Sequence, residues 1–166
     1  MSKLLRYYEP GQCCFITCVT ANRQPVLDRH VGLLFRAVRK AKRKSRFTVV
    51  AWVVLPDHFH AIIDSPDGDI SAIVQRIKLS FALQWRRLSK ADGGIWQHRY
   101  WDHIIRSEED MARHVDYVHI NPVKHGLVGS TKQWRFSSFH GFRRAGHYDA
   151  DWGEGGVSAD NDVYGE

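Results

Sequence analysis

Two histidines stand one residue apart in His58-Phe59-His60. On a strand, residues i and i+2 point to the same face. The two imidazoles then lie side by side, with Phe59 turned the other way, and form one side of a metal chelate. Ten histidines in 166 residues make such a pair unspecific. The competing reading is two polar side chains on a solvated strand face. A second group follows in Tyr117-Val-His-Ile-Asn121-Pro122. Read as a helix at about 100° per residue, Met111, Val115 and Val118 cluster within about 60° of arc, and Tyr117 falls roughly 130° from their centre. The tyrosine is therefore expected on a polar flank beside His114 and Asn121, off the apolar stripe. The competing reading is an exposed tyrosine near a helix end. Side chains at i and i+4 meet on a helix, so the Asn121 amide lies close to Tyr117. An amide oxygen beside two imidazoles is a mixed ligand set that suits Mg²⁺ or Mn²⁺ holding a phosphate.

Cations and rings alternate elsewhere: Trp85-Arg-Arg, Trp96-Gln-His-Arg-Tyr-Trp101, Trp134-Arg-Phe136 and Phe142-Arg-Arg144. That pattern suits single-stranded nucleic acid, whose bases stack and whose phosphates pair. The alternative places the tryptophans in a core and the arginines on a solvated face. The formal net charge is +6, although residues 149–166 hold six acids and no Lys or Arg. The body is thus more basic than the whole, which points to a polyanionic partner.

These residues need elements to hold them. Residues 12–20 form a short β-prone run and predict a strand. Leu27, Val31, Leu34, Val38 and Ala41 recur at helical spacing. Residues 47–55 and 58–64 flank Pro56-Asp57 and predict a hairpin. Ile70, Ile73, Val74, Ile77, Phe81, Trp85 and Leu88 mark a second amphipathic helix. Residues 99–106 predict a fourth strand. Ser107, with acid three residues on at Asp110, is a capping-box-like start to a third helix. Asn121-Pro122 is expected to stop it, because the residue before proline is pushed out of the α region. The order β-α-β-β-α-β plus a helix is the split βαβ, ferredoxin-like pattern, an α+β antiparallel sheet with helices packed on it. The tail from 149 is acidic and Gly-containing, and is expected to be flexible.

One domain accounts for 166 residues. No apolar run approaches the roughly 20 residues of a membrane span, and Met1-Ser-Lys-Leu-Leu-Arg opens no secretory stretch. Cys14 and Cys18 would lie about 13 Å apart along a strand, beyond the roughly 7 Å a disulfide allows. Free thiols fit a cytoplasmic setting.

Three ordered blocks carry a resemblance: Trp52-Val-Val-Leu-Pro-Asp-His-Phe-His-Ala61, Ile95-Trp-Gln-His-Arg-Tyr-Trp-Asp-His103, and His114-Val-Asp-Tyr-Val-His-Ile-Asn-Pro-Val-Lys-His-Gly-Leu-Val128. Together they resemble the REP-associated tyrosine transposases, relatives of the single-strand transposases in the HUH endonuclease superfamily. The resemblance runs from about residue 7 to 144. It implies that His58 and His60 are the metal pair, Tyr117 the nucleophile and Asn121 a third ligand. It implies a divalent cofactor, Mg²⁺ or Mn²⁺. It also implies a bacterial, nucleoid-associated enzyme acting on single-stranded DNA at repeat hairpins through a 5′-phosphotyrosine. Residues 1–148 would then be the transposase domain and 149–166 a tail, with the protein a monomer or homodimer. Two other readings stand beside it. One is a non-catalytic single-strand-binding module, against which counts the lack of an RNP1-like string. The other is a metal-dependent hydrolase that uses water.

Overall fold

The computed structural model describes residues 8–90 and 93–155. Four strands, β1 (Gln12–Val19), β2 (Thr48–Val54), β3 (His58–Ser65) and β4 (Trp101–Ile104), form one sheet in the order β2-β3-β1-β4. Every pairing is antiparallel. The helices are α1 (Val31–Lys42), α2 (Ile70–Ser89), α3 (Glu108–Lys124) and α4 (Phe139–Arg144). The connectivity is the expected ferredoxin-like one with α3 added. Leu27 falls outside α1, in the turn before it, where its N–H donates to the Pro56 carbonyl at 2.8 Å.

The sheet has an apolar layer on each face, and strand alternation assigns residues to them. Cys14, Ile16 and Cys18 of β1 and Phe59, Ala61 and Ile63 of β3 pack against Leu34 and Ala37 of α1 and Ile73, Ile77 and Phe81 of α2. Phe15, Ile62, Ala51 and Val53 look the other way and meet Val115, Tyr117 and Val118 of α3. Burying one such large side chain contributes about 1.5–3 kcal/mol. Both faces of the central strands are therefore covered, which explains why β1 reads as a continuous apolar run. Cys13, Cys14 and Cys18 are all free thiols.

The start of α3 follows expectation: the Ser107 hydroxyl accepts from the Asp110 N–H at 3.1 Å. Its end does not. The helix passes through Pro122 and stops at Lys124. A proline near a C-terminus removes one hydrogen bond, and the last turn is closed by others. Gly126, at φ +67°, donates to the Val123 carbonyl at 2.9 Å, and Leu127 to that of Pro122 at 3.0 Å. This is a Schellman ending, which needs a left-handed residue and finds a glycine. Asn121 is thus helical, and Lys124 stays on the helix.

The tail expected to be flexible from 149 is docked at Trp152 and Gly153. Trp152 stacks on Phe139 at a ring distance of 5.9 Å and lies 4.2 Å from the Tyr148 ring. The Thr131 hydroxyl donates to the Trp152 carbonyl at 3.0 Å, and Lys132 pairs with Glu154. Three aromatic rings and a backbone bond outweigh the acidic composition here. Residues 156–166 of that tail lie outside the described residues.

Candidate active site

The β1–β3 register sets Thr17 opposite His60 and Val19 opposite His58. The pleat turns both histidines toward α3, beside Phe15 and Ile62. His58 is 2% exposed and His60 0%, so this strand face is not solvated. Their ring centroids lie 5.0 Å apart, and the His60 ring lies 5.4 Å from that of Tyr117. Phe15 completes the floor, stacked on His60 at 5.3 Å and edge-on to Tyr117 at 6.0 Å.

Tyr117 is only 3% exposed, contrary to both readings that kept it on an open edge. The flank of α3 expected to be polar is the flank that meets the sheet. It does so together with the apolar stripe, since Val115 and Val118 pack on the same sheet face beside Phe15 and Ile62. Asn121 follows one turn on and is fully buried. The structure therefore brings His58, His60 and Tyr117 together on touching elements, with Asn121 on the same helix flank.

Both imidazoles are oriented through Nδ1. That of His58 donates to the Asp57 carboxylate at 2.6 Å, and that of His60 shares a hydrogen bond with the Thr17 hydroxyl at 2.8 Å. A partner on Nδ1 makes Nε2 the ligating nitrogen and fixes the ring. Burial pushes the Asp57 carboxyl up, but the His58 hydrogen bond and Arg23 outweigh it and hold the group down at about 2. The carboxylate therefore remains ionised to support His58. Two imidazoles and an amide oxygen are a donor set that fits a divalent ion of intermediate hardness.

Three of these supporting residues escaped sequence reading. Asp57 looked like turn chemistry. Thr17 depends on which strand pairs with β3. Lys124, whose Nζ donates to the Tyr117 hydroxyl at 2.9 Å, lies seven residues on. Its helical spacing of two turns was a usable signal, hidden by the expectation that the helix stops at Pro122.

His103, Asp110 and His114 form another group of metal-ligand type, with donor atoms within 4.8 Å of one another. Their geometry serves a different purpose as placed. The two imidazoles are stacked at 4.5 Å and 12° from parallel. Lone pairs lie in the ring planes, so nearly parallel stacked rings do not converge on one ion. Instead Asp110 bridges them, 2.9 Å from His103 and 3.1 Å from His114. This ties β4 to the first turns of α3.

The aromatic residues read as base-stacking candidates are mostly structural. Trp96 donates to the Lys78 carbonyl and packs on Phe59 and Phe81, and Trp134 donates to the Val54 carbonyl. The interleaved Arg86, Arg87, Arg99, Arg135, Arg143 and Arg144 are exposed. Among the described residues, no helix is long and apolar enough to cross a membrane.

The family model for IS200-like transposases matches residues 13–121, a stretch that contains all four site residues. The REP-associated tyrosine transposase of Escherichia coli strain K12 is 41% identical over 159 residues, covering 92% of this chain and 91% of the relative. A relative from Haemophilus influenzae, described by the same family name, is 34% identical over 165 residues, covering 92% and 94%. A solved structure of a REP-associated tyrosine transposase bound to a REP hairpin superposes with a TM-score of 0.86 at 37% identity, over 100% of this chain and 98% of that one. The fold, the catalytic-type constellation and the near full-length similarity agree: this chain belongs to the REP-associated tyrosine transposases, within the IS200-like transposase family.

Proposed function

We propose that this protein cuts and rejoins single-stranded DNA beside hairpin-forming repeats through a covalent bond to Tyr117. The observation that carries the reading is the contact between His60 and Tyr117, which places a phenol over a strand pair of oriented imidazoles. A hairpin substrate is supported by the similar transposase solved with a REP hairpin. The basic body supplies the attraction to phosphate.

In this mechanism the Tyr117 oxygen attacks a backbone phosphorus and the bond to the 3′-oxygen breaks. The products are a 5′-phosphotyrosine and a free 3′-OH. Attack by another 3′-OH reverses the step and releases the tyrosine. The phosphodiester energy is kept in the ester, so joining needs no nucleotide cofactor. His58, His60 and Asn121 would hold Mg²⁺ or Mn²⁺, which when bound polarises phosphate oxygens. Asp57 and Thr17 hold the two imidazoles aimed, each through its Nδ1. Phe15 and the neighbouring apolar layer exclude water from below, which favours a transferable ester over hydrolysis. One tyrosine breaks one strand at a time, so joining two ends takes two subunits or two rounds. A bacterial cytoplasmic, nucleoid-associated setting follows from this substrate.

The test is incubation with 3′-end-labelled hairpin DNA and Mn²⁺, followed by a denaturing gel. A labelled protein–DNA adduct is expected. DNA shortened with no adduct would favour hydrolysis by water, and binding with neither product would favour a non-catalytic module.

A further inference from the structure

We propose that Lys124 is a catalytic residue, whose ammonium stabilises negative charge on the Tyr117 oxygen both when that oxygen attacks and when it departs. The inference rests on the reading of Tyr117 as nucleophile.

The Lys124 Nζ donates to the phenol oxygen at 2.9 Å and stands 4.5 Å from the centre of the ring. The same cation thus meets the face of the ring and its oxygen. Lys124 is half-buried and Tyr117 buried, so their interaction is stronger than between groups in bulk water. The placement is built. Residues 117 and 124 are seven apart, which brings them to one flank after two turns. That flank reaches residue 124 only because α3 continues past Pro122 and Gly126 closes its last turn. A cation in the final helical turn is also favoured by the helix dipole. From the elements packed on Tyr117, β3 presents the imidazole of His60 and β1 presents the uncharged ring of Phe15. Lys124 is the ammonium at the reacting oxygen.

The chemistry balances with water as proton carrier. In cleavage, the phenol proton leaves to water, the tyrosine oxygen bonds to phosphorus, and the bond to the 3′-oxygen breaks. That oxygen then takes a proton from water. In rejoining, a 3′-OH gives up its proton to water and attacks, and the tyrosine oxygen leaves with the electron pair and then takes a proton from water. The ammonium faces the same oxygen in both directions, so one charge serves both half-reactions.

The experiment compares the full-length wild type with Lys124→Met, Lys124→Gln, Lys124→Arg and Tyr117→Phe. It measures hairpin affinity, the single-turnover rate of adduct formation at saturating DNA, and the rate of rejoining when purified adduct meets a 3′-OH strand. Thermal melts confirm that each variant is folded. Lys124→Met and Lys124→Gln are expected to slow adduct formation and rejoining alike, by on the order of 10- to 100-fold. Lys124→Arg is expected to recover most of both rates. Wild-type rates in the uncharged variants, or a defect that disappears at saturating DNA, would overturn the proposal and leave Lys124 as a DNA contact. Adduct formed by Tyr117→Phe would remove the nucleophile reading and this inference together. Loss of adduct in Tyr117→Phe with unchanged Lys124→Met overturns this inference alone.

Discussion

Thr17 and His60 are partners across the β1–β3 ladder, and the threonine hydroxyl lies 2.8 Å from Nδ1 of the imidazole. One register position therefore sets the rotation of a ligand-type ring. Thr17→Val keeps shape and β-branching and deletes the hydroxyl. It is expected to weaken Mn²⁺ binding about 10- to 100-fold, as loss of an outer partner typically does. Isothermal titration with Mn²⁺ reads this directly. Unchanged affinity would show that packing against Phe15 alone orients His60.

Tyr117→Phe removes one oxygen from a buried ring and leaves its contacts with Phe15 and His60 in place. Hairpin binding is expected to stay near wild type while the covalent adduct vanishes. His58→Ala, or EDTA added to wild type, is expected to stop cleavage as well, and Asn121→Ala to weaken metal binding. Cleavage that persists undiminished in chelator would end the metal reading while leaving the tyrosine in its role.

Acid stability is tied to His119. It is 1% exposed, with its ring nitrogens 2.8 Å from the Tyr148 and Ser138 hydroxyls. Burial, and then His140, push its pKa down to about 3. The folded protein keeps this imidazole neutral, whereas the unfolded chain protonates it near the ordinary value of about 6.5. The unfolded state therefore binds the extra proton, and stability falls as pH drops from about 6.5 toward 3, by up to about 1.4 kcal/mol per pH unit from this group. His114, pushed down by burial against the hydrogen bond from its ring to the Asp110 backbone, adds in the same direction. Urea unfolding at pH 7 and pH 5 should show the loss, and His119→Gln should flatten it. Equal stability of the wild type at both values would refute the assignment.

Docking of the segment after Tyr148 is expected to contribute to stability. A Cβ on Gly153 would meet Thr131 Cγ2 at 2.4 Å, and φ there is +77°. Gly153→Ala therefore combines a clash with a backbone region that alanine disfavours. It should destabilise by about 1–3 kcal/mol, and Trp152→Ala by a comparable amount through lost contact with Phe139 and Tyr148. Chemical denaturation measures both. A neutral Gly153→Ala would mean that the segment contributes nothing to the fold.

What the amino-acid order determines by itself is the part with local causes. Period-2 and period-3.6 patterning marks the four strands and α1, α2 and α3 within a few residues, but not the short α4; the Ser107 cap opens α3, and His58 and His60 share a face because a strand must alternate. Tyr117 and Asn121 are neighbours because a helix brings i and i+4 together. The three blocks made the family legible before any coordinates. The tertiary structure decided the rest, since it turns on which surfaces meet. Thr17 orients His60 only once β1 pairs with β3 in one register. The polar flank of α3 is buried along with the apolar stripe, because the helix lies on the sheet with both. That choice puts Tyr117 in the interior, where sequence periodicity placed it at an edge. Pro122 fails to end α3 because hydrogen bonds to Gly126 and Leu127 close the helix two residues later, and this alone keeps Lys124 at the phenol. An acidic, glycine-containing composition says nothing of the Phe139 and Tyr148 surface that holds Trp152. Local propensity is set by each residue and its near neighbours, whereas burial depends on partners far away in the chain.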